Sequence, residues 1–214
     1  MNLFLICVNF CLIPAVLSVE AERRGNRIGR ALFKILASNG FLFAAWLLGA
    51  LESTYGQAML AGLVFSWFGD VFLLSRSERF FQAGLVSFLL AHIAYGAAFV
   101  LHGIDPRAAL VALALLILIA IPLLRWILPN VPAAMRFPVI AYMITISCMV
   151  TLAAGTWGHA GYLVIIPGAA VFFVSDIFVA RDRFIAPGFV NSQVGLPLYY
   201  GGQLLLAYSV SFGG

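Results

Sequence analysis

Two aspartates, Asp70 and Asp176, stand where a carboxylate is costly. Each follows a long apolar run and precedes by five or six residues the arginine that closes it, Arg181 or Arg76. On helices rising 1.5 Å per residue, both carboxyls would lie roughly 8–9 Å inside a membrane boundary. Ionisable groups at such depth usually face a bundle interior or a water-filled cavity and mark a working site. The plainer alternative is a structural carboxylate that bonds neighbouring helices or snorkels to the interface. A carboxylate pair shielded from water suits acid–base chemistry, one member holding a proton near neutrality while the other stays ionised. That arrangement serves hydrolysis through an oxocarbenium-like cation, and it serves proton-coupled transport equally well. The sequence has no G-x-S-x-G elbow and no H-E-x-x-H zinc motif.

Other polar side chains fall at compatible depths. Lys34, Ser38 and Asn39 lie near the start of a second apolar run, Ser66 is one turn before Asp70, and His92 and Tyr95 share a helix face. Tyr142 lies about five residues into a later run, and Tyr199 and Tyr200 precede Gln203 by four and three residues. Singly, each has an ordinary explanation as interfacial tyrosine, interhelical glue or satisfied histidine. Together they describe a polar pocket open toward the cytoplasm and closed on the outer side by apolar residues.

The elements that would position them are membrane helices. Of 214 residues, 64% are hydrophobic and 9% charged, against about a quarter charged in a soluble domain. Eight runs reach or approach the ~20 residues a span requires: about 2–19, 31–49, 57–75, 81–101, 108–124, 137–155, 161–180 and 194–212. The expected fold is therefore all-α, one polytopic transmembrane bundle over residues 1–214. The fifth run, which contains Pro122, is the least regular. The first run lacks a basic N-terminal flank and is followed by Arg23, Arg24, Arg27 and Arg30, the reverse of a signal peptide. It reads as a retained helix with its N-terminus outside. Alternating sides from there places ten arginines in inner loops and Lys34 beside them, against Arg107 alone outside. This positive-inside bias puts both termini on the outer side. The net charge of +4 forms no single patch, so nucleic acid is not an expected partner. Cys7, Cys11 and Cys148 are odd in number and carry no C-x-x-C spacing, so neither a disulfide framework nor a metal site is expected.

The segment Gly69-Asp70-Val71-Phe72-Leu73 is echoed by Ser175-Asp176-Ile177-Phe178-Val179, each leading into an arginine-bearing loop. Gly84, Val86 and Tyr95 then find counterparts in Gly188, Val190 and Tyr199. A parallel duplication of four helices onto four would explain this, as would chance similarity in a low-diversity apolar sequence. Small residues along the helices suit packing either within one chain or between copies in a homo-oligomer.

The stretch from Gly62 to Asp70 (Gly-Leu-Val-Phe-Ser-Trp-Phe-Gly-Asp), with Phe81-Gln82-Ala83-Gly84-Leu85 and Ala91-His92-Ile93-Ala94-Tyr95, resembles the YhhN/TMEM86 family of lysoplasmalogenases. Residues Gly168 to Asp176, the run Tyr199-Tyr200-Gly201-Gly202-Gln203, and Tyr142 with Met149 agree with it. The resemblance covers roughly residues 30 to 210 and departs after Lys34, where Ile35 replaces a proline frequent in that family. It implies an integral membrane hydrolase that cleaves the vinyl-ether bond of a lysophospholipid, releasing a fatty aldehyde and a glycerophospho-ethanolamine or -choline. One of Asp70 and Asp176 would be the acid, and the other would stabilise the cation or activate water. His92, Tyr142, Tyr200 and Gln203 would position water and the glycerol hydroxyl, and Lys34 or a loop arginine would hold the phosphate. Ser66, Asn39, Tyr95 and Tyr199 complete the expected substrate pocket, without metal or cofactor, and the substrate's chain would lie among the phenylalanine-rich helices next to membrane lipids. A small proton-coupled transporter is the main alternative, and a structural or regulatory membrane protein a further one.

Overall fold

The computed structural model describes residues 3–213. Among them are eight α-helices and no strand: α1 (Leu3–Arg23), α2 (Arg27–Leu47), α3 (Thr54–Phe72), α4 (Glu78–His102), α5 (Pro106–Ile127), α6 (Ala133–Gly155), α7 (Tyr162–Phe184) and α8 (Phe189–Ser209). Single 3₁₀ turns follow α5 and α8. The segments Arg27–Leu47, Glu78–His102, Pro106–Asn130, Ala133–Gly155 and Tyr162–Phe184 are long and apolar enough to cross a membrane. The helices α1, α3 and α8, of 21, 19 and 21 residues, pack alongside them.

Local chemistry sets the helix starts. Asn26, Ser53, Ser77 and Asp105 each accept a hydrogen bond from a backbone N–H two or three residues on, satisfying donors that the first turn leaves orphaned. Pro106 follows Asp105 at the first helical position, where its missing N–H costs nothing. These caps start α2, α4 and α5 a few residues earlier than the apolar runs do. Pro122 lies inside α5 without ending it. Gly25 holds the α1–α2 turn at φ +69°, a backbone region open to glycine at little cost.

Sequence neighbours α1–α2, α3–α4 and α7–α8 form closely packed pairs. Further contacts join α2 to α3, α4 to α6, α6 to α7 and α8 to α1, closing a ring, while α8 also reaches inward to α2 and α3. Close approaches depend on glycine: a Cβ on Gly40 would lie 2.7 Å from the Cys11 Cα, and one on Gly202 would lie 3.0 Å from the Gly168 carbonyl oxygen. The fifth helix stands outside the ring. It packs mainly on α6, and of its residues only Leu116 and Ile127 are buried. Its polarity explains its place, since with no charge between Arg107 and Arg125 it satisfies the lipid on every side.

Candidate active site

Six of the eight helices aim polar side chains, in two clusters, at the interior of the ring. The first cluster surrounds Asp70, which is 2% exposed. Its Oδ1 lies 3.2 Å from Lys34 Nζ. Its Oδ2 accepts hydrogen bonds from Ser38 Oγ at 2.6 Å and Tyr199 Oη at 2.7 Å. Tyr200 Oη donates to the Lys34 carbonyl oxygen at 3.0 Å and sits 3.1 Å from Ser38 Oγ, tying α8 to the turn of α2 that presents the lysine. Two hydroxyl donors and an ammonium surround this carboxylate, and the ion pair offsets part of the cost of burying it. Behind it lies a closed triangle of Ser66, Tyr95 and Gln203. Tyr95 Oη donates to Gln203 Oε1 at 2.6 Å, Gln203 Nε2 donates to Ser66 Oγ at 3.1 Å, and the two hydroxyls are 3.2 Å apart.

The second cluster surrounds Asp176. Tyr142 Oη donates to its Oδ2 at 2.6 Å, and His92 Nε2 lies 3.3 Å from the same oxygen and 3.0 Å from the tyrosine oxygen. Since Tyr142 spends its proton on Asp176, His92 Nε2 must be the donor in its contact with Tyr142. Its Nδ1 is buried without a hydrogen-bond partner among the described residues. The Asp176 side chain is 13% exposed against 3% for Asp70, and it has fewer donors. The two carboxylates therefore stand in unequal surroundings despite their similar sequence frames.

Both clusters border one cavity of about 220 Å³. Lys34, Asp70, Tyr142, Asp176 and Tyr199 contribute polar groups to its wall, and Phe88, Ile146 and Phe173 make it apolar elsewhere. Arg30, Arg76 and Arg183, with Glu22 and Asp182, line it where the helix ends and arginine-bearing turns converge. Arg183 packs over the Phe81 ring at 4.4 Å and donates to the Arg76 carbonyl oxygen at 3.3 Å. Arg30 Nε lies 3.5 Å from Glu22 Oε2, and Arg23 and Arg24 are both engaged by Glu20 at the end of α1, at 2.7 and 2.6 Å. The Arg23 and Arg24 contacts hold the half-buried Glu20 carboxyl down to about 2. Asn191 bonds Asp182 Oδ1 at 2.9 Å and the Ala186 carbonyl at 2.8 Å, fixing the turn between α7 and α8 beside the cavity.

Of the residues expected at a site, Lys34, Asp70, Tyr142, Asp176 and Tyr199 border the cavity, and Ser66, His92, Tyr95, Tyr200 and Gln203 form the buried layer that orients them. Asn39 is not among them. It is exposed on the outer face of α2 and accepts a hydrogen bond from Trp67 Nε1 at 2.9 Å. Depth along the helix suggested it, but its direction round the helix is wrong: Lys34 and Ser38 are four residues apart and share a face, and Asn39 is turned about 100° from Ser38. The same spacing rule identifies Ser38 as a ligand of Asp70, a more direct role than its position near Lys34 suggested. Arg30, Arg76 and Arg183 are brought in by the fold from the start of α2, the α3–α4 turn and the end of α7.

The family model described as the YhhN family matches residues 29–210. The chain is 28% identical to Lysoplasmalogenase TMEM86A of Bos taurus over 79% of its length and 71% of that protein's. It is 30% identical to Lysoplasmalogenase TMEM86A of Homo sapiens over the same shares. With Lysoplasmalogenase TMEM86B of Homo sapiens the identity is 31%, over 95% of this chain and 81% of the relative. No solved structure matches.

Proposed function

The chain belongs to the YhhN family, and we propose that it is an integral membrane hydrolase that cleaves the vinyl-ether bond of a lysophospholipid. The observation that carries this reading is the pair of unequal carboxylates on one cavity. The relatives named as lysoplasmalogenases support the substrate class.

In this reading Asp176 is the acid. It is the more accessible carboxyl, and the Tyr142–His92 pair behind it offers a route for a replacement proton. Protonation of the vinyl β-carbon produces an oxocarbenium ion, beside which Asp176 is left as an anion. Asp70, faced by Lys34, Ser38 and Tyr199, accepts a proton from the water that attacks the cation. The resulting hemiacetal collapses to aldehyde and alcohol. Because Lys34 is committed to Asp70 and Arg30 faces Glu22, the phosphate falls to Arg76 and Arg183 at the opening. A cavity of about 220 Å³ is smaller than the 300 Å³ or more of a typical small-molecule site. It accommodates the glycerol and the vinyl ether, leaving most of the hydrocarbon chain in the bilayer. The excess of arginine in the turns at this end orients the cavity toward the cytoplasm.

Purified protein in detergent, given a synthetic vinyl-ether lysolipid and assayed for aldehyde, tests the proposal. Asp176→Asn and Asp70→Asn should each lower kcat by about 10²–10⁴ with the fold retained, the range for a lost general acid or base. Undiminished aldehyde release from the variant carrying both substitutions would sink the mechanism. Absence of release from the unaltered protein, together with proton-driven lysolipid uptake into proteoliposomes, would replace it by a transporter.

A further inference from the structure

We propose that Lys34 is a covalent acceptor for long-chain aldehydes, which its ε-amine takes up as an imine inside the cavity. The idea rests on the hydrolase reading only in that such an enzyme would release an aldehyde at this place. Lys34 is the one lysine of the 214-residue sequence. Every other cationic side chain is an arginine. For an ion pair with a buried carboxylate the planar, permanently charged guanidinium is the better partner. What lysine has and arginine lacks is an amine that becomes nucleophilic when it gives up a proton.

The surroundings supply the rest. Lys34 is 5% exposed and borders the cavity, and its Nζ lies 3.2 Å from an Asp70 oxygen able to take that proton. Its backbone is pinned by the hydrogen bond from Tyr200 Oη to its carbonyl, at 3.0 Å, with Ser38 Oγ 2.9 Å from the same oxygen. Asp70 removes one proton from the ammonium, and the amine lone pair forms the C–N bond as the carbonyl π pair moves to oxygen. A second proton passes from nitrogen to that oxygen, giving a carbinolamine. The nitrogen lone pair then expels the hydroxyl, which leaves as water with the proton stored on Asp70. One ammonium and one aldehyde thus become one iminium and one water, with net charge unchanged and Asp70 restored as counter-ion. Hydrolysis reverses the sequence and frees the aldehyde.

The test incubates the full chain in detergent with dodecanal and sodium cyanoborohydride, then maps the reduced dodecyl adduct by peptide mass spectrometry. The expected result is an adduct on the peptide carrying Lys34, absent from Lys34→Arg. It should form at aldehyde concentrations at least about tenfold lower than with propanal, since each buried methylene contributes roughly 0.8 kcal/mol. Labelling of Lys34 should also be faster in the folded protein than after denaturation in dodecyl sulfate. That comparison stands even if Lys34→Arg does not fold. Modification of the chain's α-amino group without modification of Lys34, or a folded rate no higher than the denatured one, would overturn the proposal. Aldehyde release from a vinyl-ether lysolipid is scored separately. Hydrolysis without labelling removes the covalent site alone, and labelling without hydrolysis keeps it and removes the hydrolase reading.

Discussion

Replacing Lys34 by methionine leaves the Asp70 carboxylate buried beside an apolar side chain of similar length. The lost contact is a 3.2 Å ion pair between side chains that are 7% and 3% exposed. At an effective dielectric constant of about 20, that separation corresponds to about 5 kcal/mol of attraction. Removing one partner of a buried pair typically costs about 3–5 kcal/mol because the other charge is stranded. In a chain of this size each kcal/mol moves a midpoint by about 2–4 °C, so the apparent unfolding temperature should fall by about 6–20 °C. The measurement is a thermal scan in detergent at one fixed heating rate, since unfolding of such bundles is seldom reversible. The informative comparison is the variant that combines Lys34→Met with Asp70→Asn. The amide can still accept from Ser38 and Tyr199, which stand 2.6 and 2.7 Å away, so most of the lost stability should return. If the double variant is less stable than Lys34→Met, or if Lys34→Met unfolds with the unaltered protein, the pair does not carry the charge assigned to it.

Three other substitutions probe separate links. Tyr142→Phe removes the 2.6 Å donor to Asp176; a hydrogen bond to a charged group is worth about 1.5–3 kcal/mol, so kcat/KM for aldehyde release should drop by about 10- to 150-fold with little change in melting. Asn39→Ala should leave aldehyde release within about twofold, as surface changes rarely exceed 0.5 kcal/mol; a large loss in the same assay would return Asn39 to the site. Gly62→Ala should lower the melting temperature through about 1–3 kcal/mol of overpacking, because the added methyl meets the Tyr95 ring that bonds Gln203; a thermal scan showing no change would mean that α3 and α4 separate at no cost.

The helices were readable because a lipid solvent leaves a plain record in sequence. Apolar runs of sufficient length have few alternative uses, and the short polar turns between them hold the caps that fix their starts. Depth was readable too, since distance from a flanking arginine translates directly into position along a helix, and this found both aspartates, Tyr142 and His92. Direction round the helix was harder. It is encoded in spacing of three or four residues, which identifies Ser38 with Lys34 and Ser66 with Asp70 but rejects Asn39. Partnership between helices was not encoded locally at all. Nothing near Gln203 indicates that its carbonyl oxygen will meet Tyr95, 108 positions earlier. The two echoed aspartate motifs look equivalent until the fold gives one a lysine from α2 and the other a tyrosine and a histidine from α6 and α4.

The outlying position of α5 has a mechanical consequence. The ring closes through the contact between α4 and α6 without it, and α5 touches the cavity only through Ile127. A helix with so few buried residues has little to lose by swinging away. Movement there would uncover the seam of α6 and α7, and under the hydrolase reading α5 would then serve as a shutter for a hydrocarbon chain arriving sideways. A spin label at Leu118, which is 70% exposed, should show a broader spread of distances to α4 than one placed on α6. Equal spreads would mean that the shutter is fixed.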